Sequence, residues 1–306
     1  MLIFLLIIIF SIPFTGIINR VKSILSGRKG PGILQPMMDI IRLFKKGSVY
    51  SNTGSLIFQI APSIYLATVI CSVLMIPFGT ERAVISFNGD FVMFAYILAL
   101  GKFFNIISAL DTGNSFEGMG ASREALISML VEPSFFILIG SLSVLTGYTS
   151  FQQIFSQISV IIVIYPMITY PLLLLSSFVL FMIGLIENCR MPVDDPKTHL
   201  ELTMIHEVMI LDNSGFDLGI ILYTGCLKFS MYAALVANLF ISTYFSIYIN
   251  ILIFCGVQVL FAVLTGIVES FLAKYRMNHI PQIVFSLSSV ALLIFIGAML
   301  LLHKLN

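Results

Sequence analysis

The chain has 306 residues, is 58% hydrophobic and only 10% charged, and has a mean hydropathy of +1.04. That describes an integral membrane protein and excludes a soluble globular domain with a large core. Its formal net charge of +1 is uninformative, because the basic residues are divided unevenly between the two sides of the membrane, and no basic surface suited to nucleic acid is expected.

Eight apolar runs are long enough to cross a bilayer, at roughly 2–18, 57–79, 91–110, 125–147, 158–185, 218–240, 247–268 and 281–302. Barrel strands are shorter and alternate apolar with polar, so the predicted class is an all-α membrane protein with eight transmembrane helices and amphipathic helices in its cytoplasmic loops. No basic residue precedes the first run and no small-residue cleavage site follows it, so it is expected to be a retained span.

Arg20, Lys22, Arg28, Lys29, Arg42, Lys45 and Lys46 fall in loop 19–56, and Arg123, Arg190, Lys197, Lys274 and Arg276 fall in later loops of the same side. The opposite side holds Arg82 and Lys304. The positive-inside rule then makes loops 19–56, 110–124, 186–217 and 269–280 cytoplasmic and puts both termini outside. In the first of these loops, Gly27, Gly30, Pro31 and Gly32 make an irregular turn, and Pro36 suits a helix start. Asp39 lies near the start of that helix and Arg42, Lys45 and Lys46 near its end, matching the macrodipole. The segment reads either as a helix on the membrane surface or as the lip of a cavity facing a partner.

Loop 110–124 has Gly113, Gly118 and Gly120 without the spacing of a nucleotide site, and Ser122 is the expected N-cap of the fourth span. The fifth span contains Pro166 and Pro171 and is longer than a bilayer requires, so a kink or tilt is expected.

Residues 187–217 gather seven of the fifteen carboxylates: Glu187, Asp194, Asp195, Glu201, Glu207, Asp212 and Asp217. A helix is expected there, capped by Asp195, opened by Pro196 and closed at Gly215. His199, Thr203, His206 and Glu207 share one side, while Glu201 and Asp212 fall in the apolar arc.

Ionisable residues inside spans are costly unless paired or hydrated. Lys102, Glu132 and Lys228 are such residues, and Glu124 and Glu132 stack on one helix face. Glu124, Glu132, Glu187 and Glu269 are candidates to line a hydrated path from the cytoplasm. Cys71, Cys189, Cys226 and Cys255 have no C-x-x-C spacing, and the histidines lack H-E-x-x-H spacing. No metal or cofactor is therefore expected on this chain, and no catalytic residue is assigned.

Four segments carry a resemblance: GRKGPGILQPMMDIIRLFKK at 27–46, SREALISMLVEPSFF at 122–136, ENCRMPVDDPKTHLELTMIHEVMILDNSG at 187–215, and VESFLAKYRMNHIPQ at 268–282. In this order they resemble the membrane subunit of group 4 energy-converting [NiFe] hydrogenases, of the formate hydrogenlyase subunit 4 or hydrogenase-4 component C type. They are also similar to the H subunit of NADH:quinone oxidoreductase. The resemblance implies a non-catalytic membrane anchor in a bacterial or archaeal cytoplasmic membrane. Hydrogenase-type large and small subunits, carrying the [NiFe] centre and [4Fe-4S] clusters, would dock on the cytoplasmic side, with antiporter-like membrane subunits beside it. It implies a proton path through Glu132, Glu187, Glu201, Glu207 and Glu269, to which the ionisable residues of the spans add Glu124, Lys102 and Lys228 as candidates. It implies arm docking through Gly30, Pro31, Gln35, Pro36, Asp39, Arg190, Asp194 and Asp195. Two other readings stay open from sequence: a quinone-site subunit of a complex I-like enzyme, and an independent ion transporter.

Overall fold

The computed structural model describes residues 2–50, 54–79, 81–194 and 204–305. Its helices are α1 (Leu2–Leu25), α2 (Gln35–Phe44), α3 (Leu56–Leu74), α4 (Asp90–Asp111), α5 (Ser115–Thr146), α6 (Phe151–Ile164), α7 (Pro166–Glu187), α8 (His206–Met209), α9 (Gly215–Phe240), α10 (Ile247–Phe271) and α11 (Ile280–Leu305). Among the described residues eight of these, α1, α3, α4, α5, α7, α9, α10 and the segment ending in α11, are long and apolar enough to span a membrane. The chain is thus an all-α, multi-pass membrane protein.

Helix α9 is the centre of the bundle. Every residue from Cys226 to Leu239 is buried, because α1, α2, α3, α7 and α10 surround it. An all-round apolar helix has no other place to go, and Ala233, Ala234 and Ala237 let neighbouring backbones approach. Phe14 stacks on Phe229 at 5.4 Å, and Phe261 lies 4.9 Å from Phe181. This packing joins α1, α7, α9 and α10.

The structure moves several predicted boundaries. The fourth span starts at Ser115, not near 125, because the Asn114 side chain accepts from Phe116 N at 3.1 Å and caps it. Ser122 is therefore no N-cap; its hydroxyl donates back to Met119 O at 2.9 Å. The fifth apolar run is two helices. Pro166 lacks an N–H and pushes Tyr165 out of the helical region, to φ −128° and ψ 62°, so α6 ends and α7 begins there. Part of the link expected between the fourth and fifth spans, from Phe151 on, is helical.

The long helix expected between Asp195 and Gly215 appears, in its described part, as the single turn α8. Asp195, Glu201 and His199 lie outside the described residues. Gly215 opens α9 and does not close a helix. Its φ is +53°, and a Cβ there would meet Gly47 O at 2.1 Å. Asp212 is exposed and not folded into an apolar face. Gly215→Ala should lower stability by about 1–3 kcal/mol, read as a fall in the thermal unfolding midpoint in detergent. Gly256→Ala, with open space around its Cβ, should leave that midpoint unchanged.

Helix α2 forms as expected, with Pro36 in its first turn. Phe44 packs on Phe216, ring centroids 5.5 Å apart, and Gly219 leaves room for it. Pro36, Asp39 and Ile40 face a cavity, so α2 is a lip.

Candidate functional site

Four helices bring four buried charges together. Lys102 comes from α4, Glu124 from α5, Glu187 from the end of α7 and Lys228 from α9. Glu187 Oε1 lies 2.9 Å from Lys102 Nζ, and its Oε2 lies 2.9 Å from Lys228 Nζ. Lys102 also lies 3.3 Å from Glu124 Oε1 and donates to Ser128 Oγ at 2.8 Å. Lys228 donates to the Glu187 carbonyl at 2.8 Å, which cancels one of the orphan acceptors at the end of α7. Two ammoniums face two carboxylates, so the set is neutral while each member stays desolvated.

Cys189 follows with a left-handed φ of 49° and donates its thiol to Glu124 Oε2 at 3.0 Å. Burial pushes that thiol well above its ordinary range, and the Glu124 carboxylate pushes it further.

Glu269, at the end of α10, does not join this quartet. It holds Lys22 at 2.7 Å and Arg190 at 3.2 Å, while the Arg190 guanidinium sits 5.1 Å over the Phe229 ring. Asp194 forms a third cluster. Lys274 Nζ lies 2.6 Å from its Oδ1, and Ile205 N and His206 N donate to its Oδ2 at 2.9 and 3.2 Å. Gln35 donates to exposed Asp39 at 3.1 Å. Gly30 and Pro31 lie apart, in a pocket between the ends of α1 and α10.

Three cavities with shared lining residues lie beside the quartet and Asp194. The first, about 300 Å³, is lined by Pro36, Asp39, Arg190, Asp194, His206 and Glu207 among others. Asn188, Cys189, His206 and Gly225 form its wall with a second void of about 30 Å³, which reaches Tyr65, Lys102, Glu124 and Glu187. Lys102 and Glu187 are shared in turn with a third void of about 30 Å³, which ends at Glu132. Each small void exceeds the ~10–15 Å³ that a water needs. Glu132 lies eight positions beyond Glu124, about 12 Å deeper along α5, and is exposed on the surface of this chain.

Sequence reasoning grouped Glu124, Glu187, Lys102 and Lys228 as candidates but did not pair them. It missed Lys22, Lys274 and Cys189 as partners, and Glu117 altogether. Glu117 is fully buried in the first turn of α5, where it accepts from the Thr112 hydroxyl and from Asp212 N at 2.9 Å. The available signal for Lys22 and Lys274 was that acids at span ends need nearby cations. Among the described residues no group of three or more His, Cys, Asp or Glu is arranged to hold a metal ion.

A family model described as NADH dehydrogenase matches residues 1–300. Hydrogenase-4 component C of Escherichia coli (strain K12) is 30% identical over 288 residues, covering 91% of this chain and 89% of that protein. Formate hydrogenlyase subunit 4 of the same organism is 26% identical over 290 residues, covering 92% of each. Among solved structures, a chain of the membrane-bound sulfane sulfur reductase, an archaeal respiratory membrane complex, superposes with a TM-score of 0.80 over 97% of this chain and 98% of that one. At 19% identity that match supports the fold alone.

Proposed function

This chain belongs to the NADH dehydrogenase family, and we propose that within it the chain is the membrane anchor and proton-coupling subunit of a hydrogenase-type oxidoreductase complex. Its basic side faces the cytoplasm, both termini lie outside, and the membrane is a bacterial or archaeal cytoplasmic membrane. The peripheral arm, with its [NiFe] centre and iron–sulfur clusters, docks over Gln35, Pro36, Asp39, Arg190 and Asp194, with Gly30 and Pro31 at the rim. The names of the two Escherichia coli relatives support a hydrogenase-type assembly.

The observation that carries the coupling role is the series of cavities joined by shared lining residues, from Asp39 and Glu207 to Glu132. Protons enter through the wide cavity, pass the Lys102–Glu124–Glu187–Lys228 quartet by water and side chain, and leave laterally at Glu132 toward an antiporter-like membrane subunit. An exposed carboxylate at that depth is costly facing lipid, so a polar neighbour is the natural cover. Glu269, held by two cations, stabilises the cavity wall.

Glu132→Gln tests this. In proteoliposomes, the expected result is an intact complex whose proton translocation per turnover falls by roughly 10²-fold, with the arm still bound. Undiminished translocation in that variant would reject the path.

The 300 Å³ cavity also favours a second reading, a quinone-type ligand on this subunit. Asn188 Oδ1 is buried in the cavity wall without a hydrogen-bond partner and would accept from a hydroxyl of the reduced, quinol form. Inhibition by quinone-site ligands, lost in Asn188→Leu, would select that reading.

A further inference from the structure

The pocket between the ends of α1 and α10 plays no part in the proton path. It has a volume of about 450 Å³ and is lined by Asn19, Lys22, Arg28, Lys29, Ser270 and Phe271 among others. Three basic residues and no acidic one face it. Lys22 is already held by Glu269, but Arg28 and Lys29 are exposed and have no ion-pair partner among the described residues. Gly27, at φ +66°, turns the chain directly after α1, so these two cations fold back beside the helix end.

The apolar surroundings point the same way. Leu25 is 46% and Phe271 75% exposed, and both line the pocket at the ends of two neighbouring spans. Cations without counter-ions, set at the boundary of a span beside uncovered apolar side chains, match a phospholipid molecule. Its phosphate would meet the basic residues while its chains cover the apolar rim. An acidic protein segment would satisfy the charge but leave that rim uncovered.

We propose that this pocket binds the phosphate headgroup of an anionic phospholipid, whose acyl chains lie against Phe271 and Leu25. Arg28 and Lys29 are the headgroup ligands, and Lys22 and the Asn19 amide complete the donor set. This site is independent of the proton path, although Gly30 and Pro31 belong both to its wall and to the docking rim.

The test uses the assembled complex, delipidated in detergent and equilibrated with mixed micelles of phosphatidylglycerol and phosphatidylcholine, with retained lipid counted by native mass spectrometry. The wild type should retain phosphatidylglycerol over phosphatidylcholine, and Arg28→Gln/Lys29→Gln should reduce that retention roughly tenfold with partner subunits still present. Lys45→Gln/Lys46→Gln, which removes two exposed cations outside the pocket, should leave retention unchanged. Equal retention of both lipids, an equal loss in the Lys45/Lys46 variant, or loss of partner subunits with lipid retained in the Arg28/Lys29 variant would each overturn the proposal. So would displacement of the lipid by dilute inorganic phosphate, which would make this a free-phosphate site.

Discussion

Glu187→Leu is expected to be the most damaging single replacement in the membrane domain. Among the described residues Glu187 is the one carboxylate that contacts both buried lysines, at 2.9 Å each. Without it Lys228 keeps a backbone carbonyl, and Lys102 keeps Glu124 and Ser128. The site then carries an uncompensated positive charge in a bundle where Lys228 is 1% exposed. Breaking a buried pair in this way costs about 3–5 kcal/mol, enough to deplete assembled protein from the membrane. Adding Lys228→Met should recover much of the loss, since Lys102 and Glu124 then form a neutral pair among apolar neighbours. Yield and thermal midpoint of the single and double variants give the comparison. A double variant no more stable than Glu187→Leu alone would mean that the ion pairs do not hold these helices together.

That architecture was only partly legible in the sequence, and the reasons are physical. Apolar runs give the spans because lipid demands continuous helix with few charges, and all eight are recovered. The split at Tyr165 was also within reach, since Pro166 cannot continue a helix that precedes it; the apolar run hid it. The early start of α5 was hidden the other way. Its first two turns hold Glu117, Gly118 and Gly120 and read as loop, but Glu117 is satisfied by partners outside the helix. Gly120 is needed because a Cβ there would meet Ile205 O at 2.8 Å. The charge pairing was not legible at all. Lys102 and Glu187 are 85 positions apart, and Lys22 and Glu269 are 247 apart. Periodicity places each on a helix face; only the packing of α4, α5, α7 and α9 decides which faces meet.

The same packing makes Asp194 a clamp, and its removal gives the second large effect. Asp194 is 1% exposed and ties three segments: the turn after α7, the backbone entering α8, and Lys274 before α11. Tyr275 N donates to Pro192 O at 3.0 Å across the same junction. Arg123 donates to Met204 O at 3.0 Å, and Glu117 holds Asp212 N, so the α8 segment is fixed at both ends by charged side chains. Asp194→Ala strips two backbone N–H groups of their acceptor and Lys274 of this carboxylate. Each buried donor left unsatisfied costs about 1–3 kcal/mol, so the segment from 204 to 215 should lose its fixed position while the spans persist. The expected readouts are faster proteolysis within that segment and, on the proposed docking role, loss of the peripheral arm during purification. Asp194→Asn can keep the one oxygen that accepts both N–H groups but loses the carboxylate that faces Lys274, and should fall between. Glu207 lines the same cavity without an ion pair or side-chain hydrogen bond among the described residues, so Glu207→Gln should keep the wild-type cleavage pattern. Wild-type proteolysis and full arm retention in Asp194→Ala would show that the loop is held by its apolar contacts alone, and that the buried carboxylate is dispensable for the docking surface.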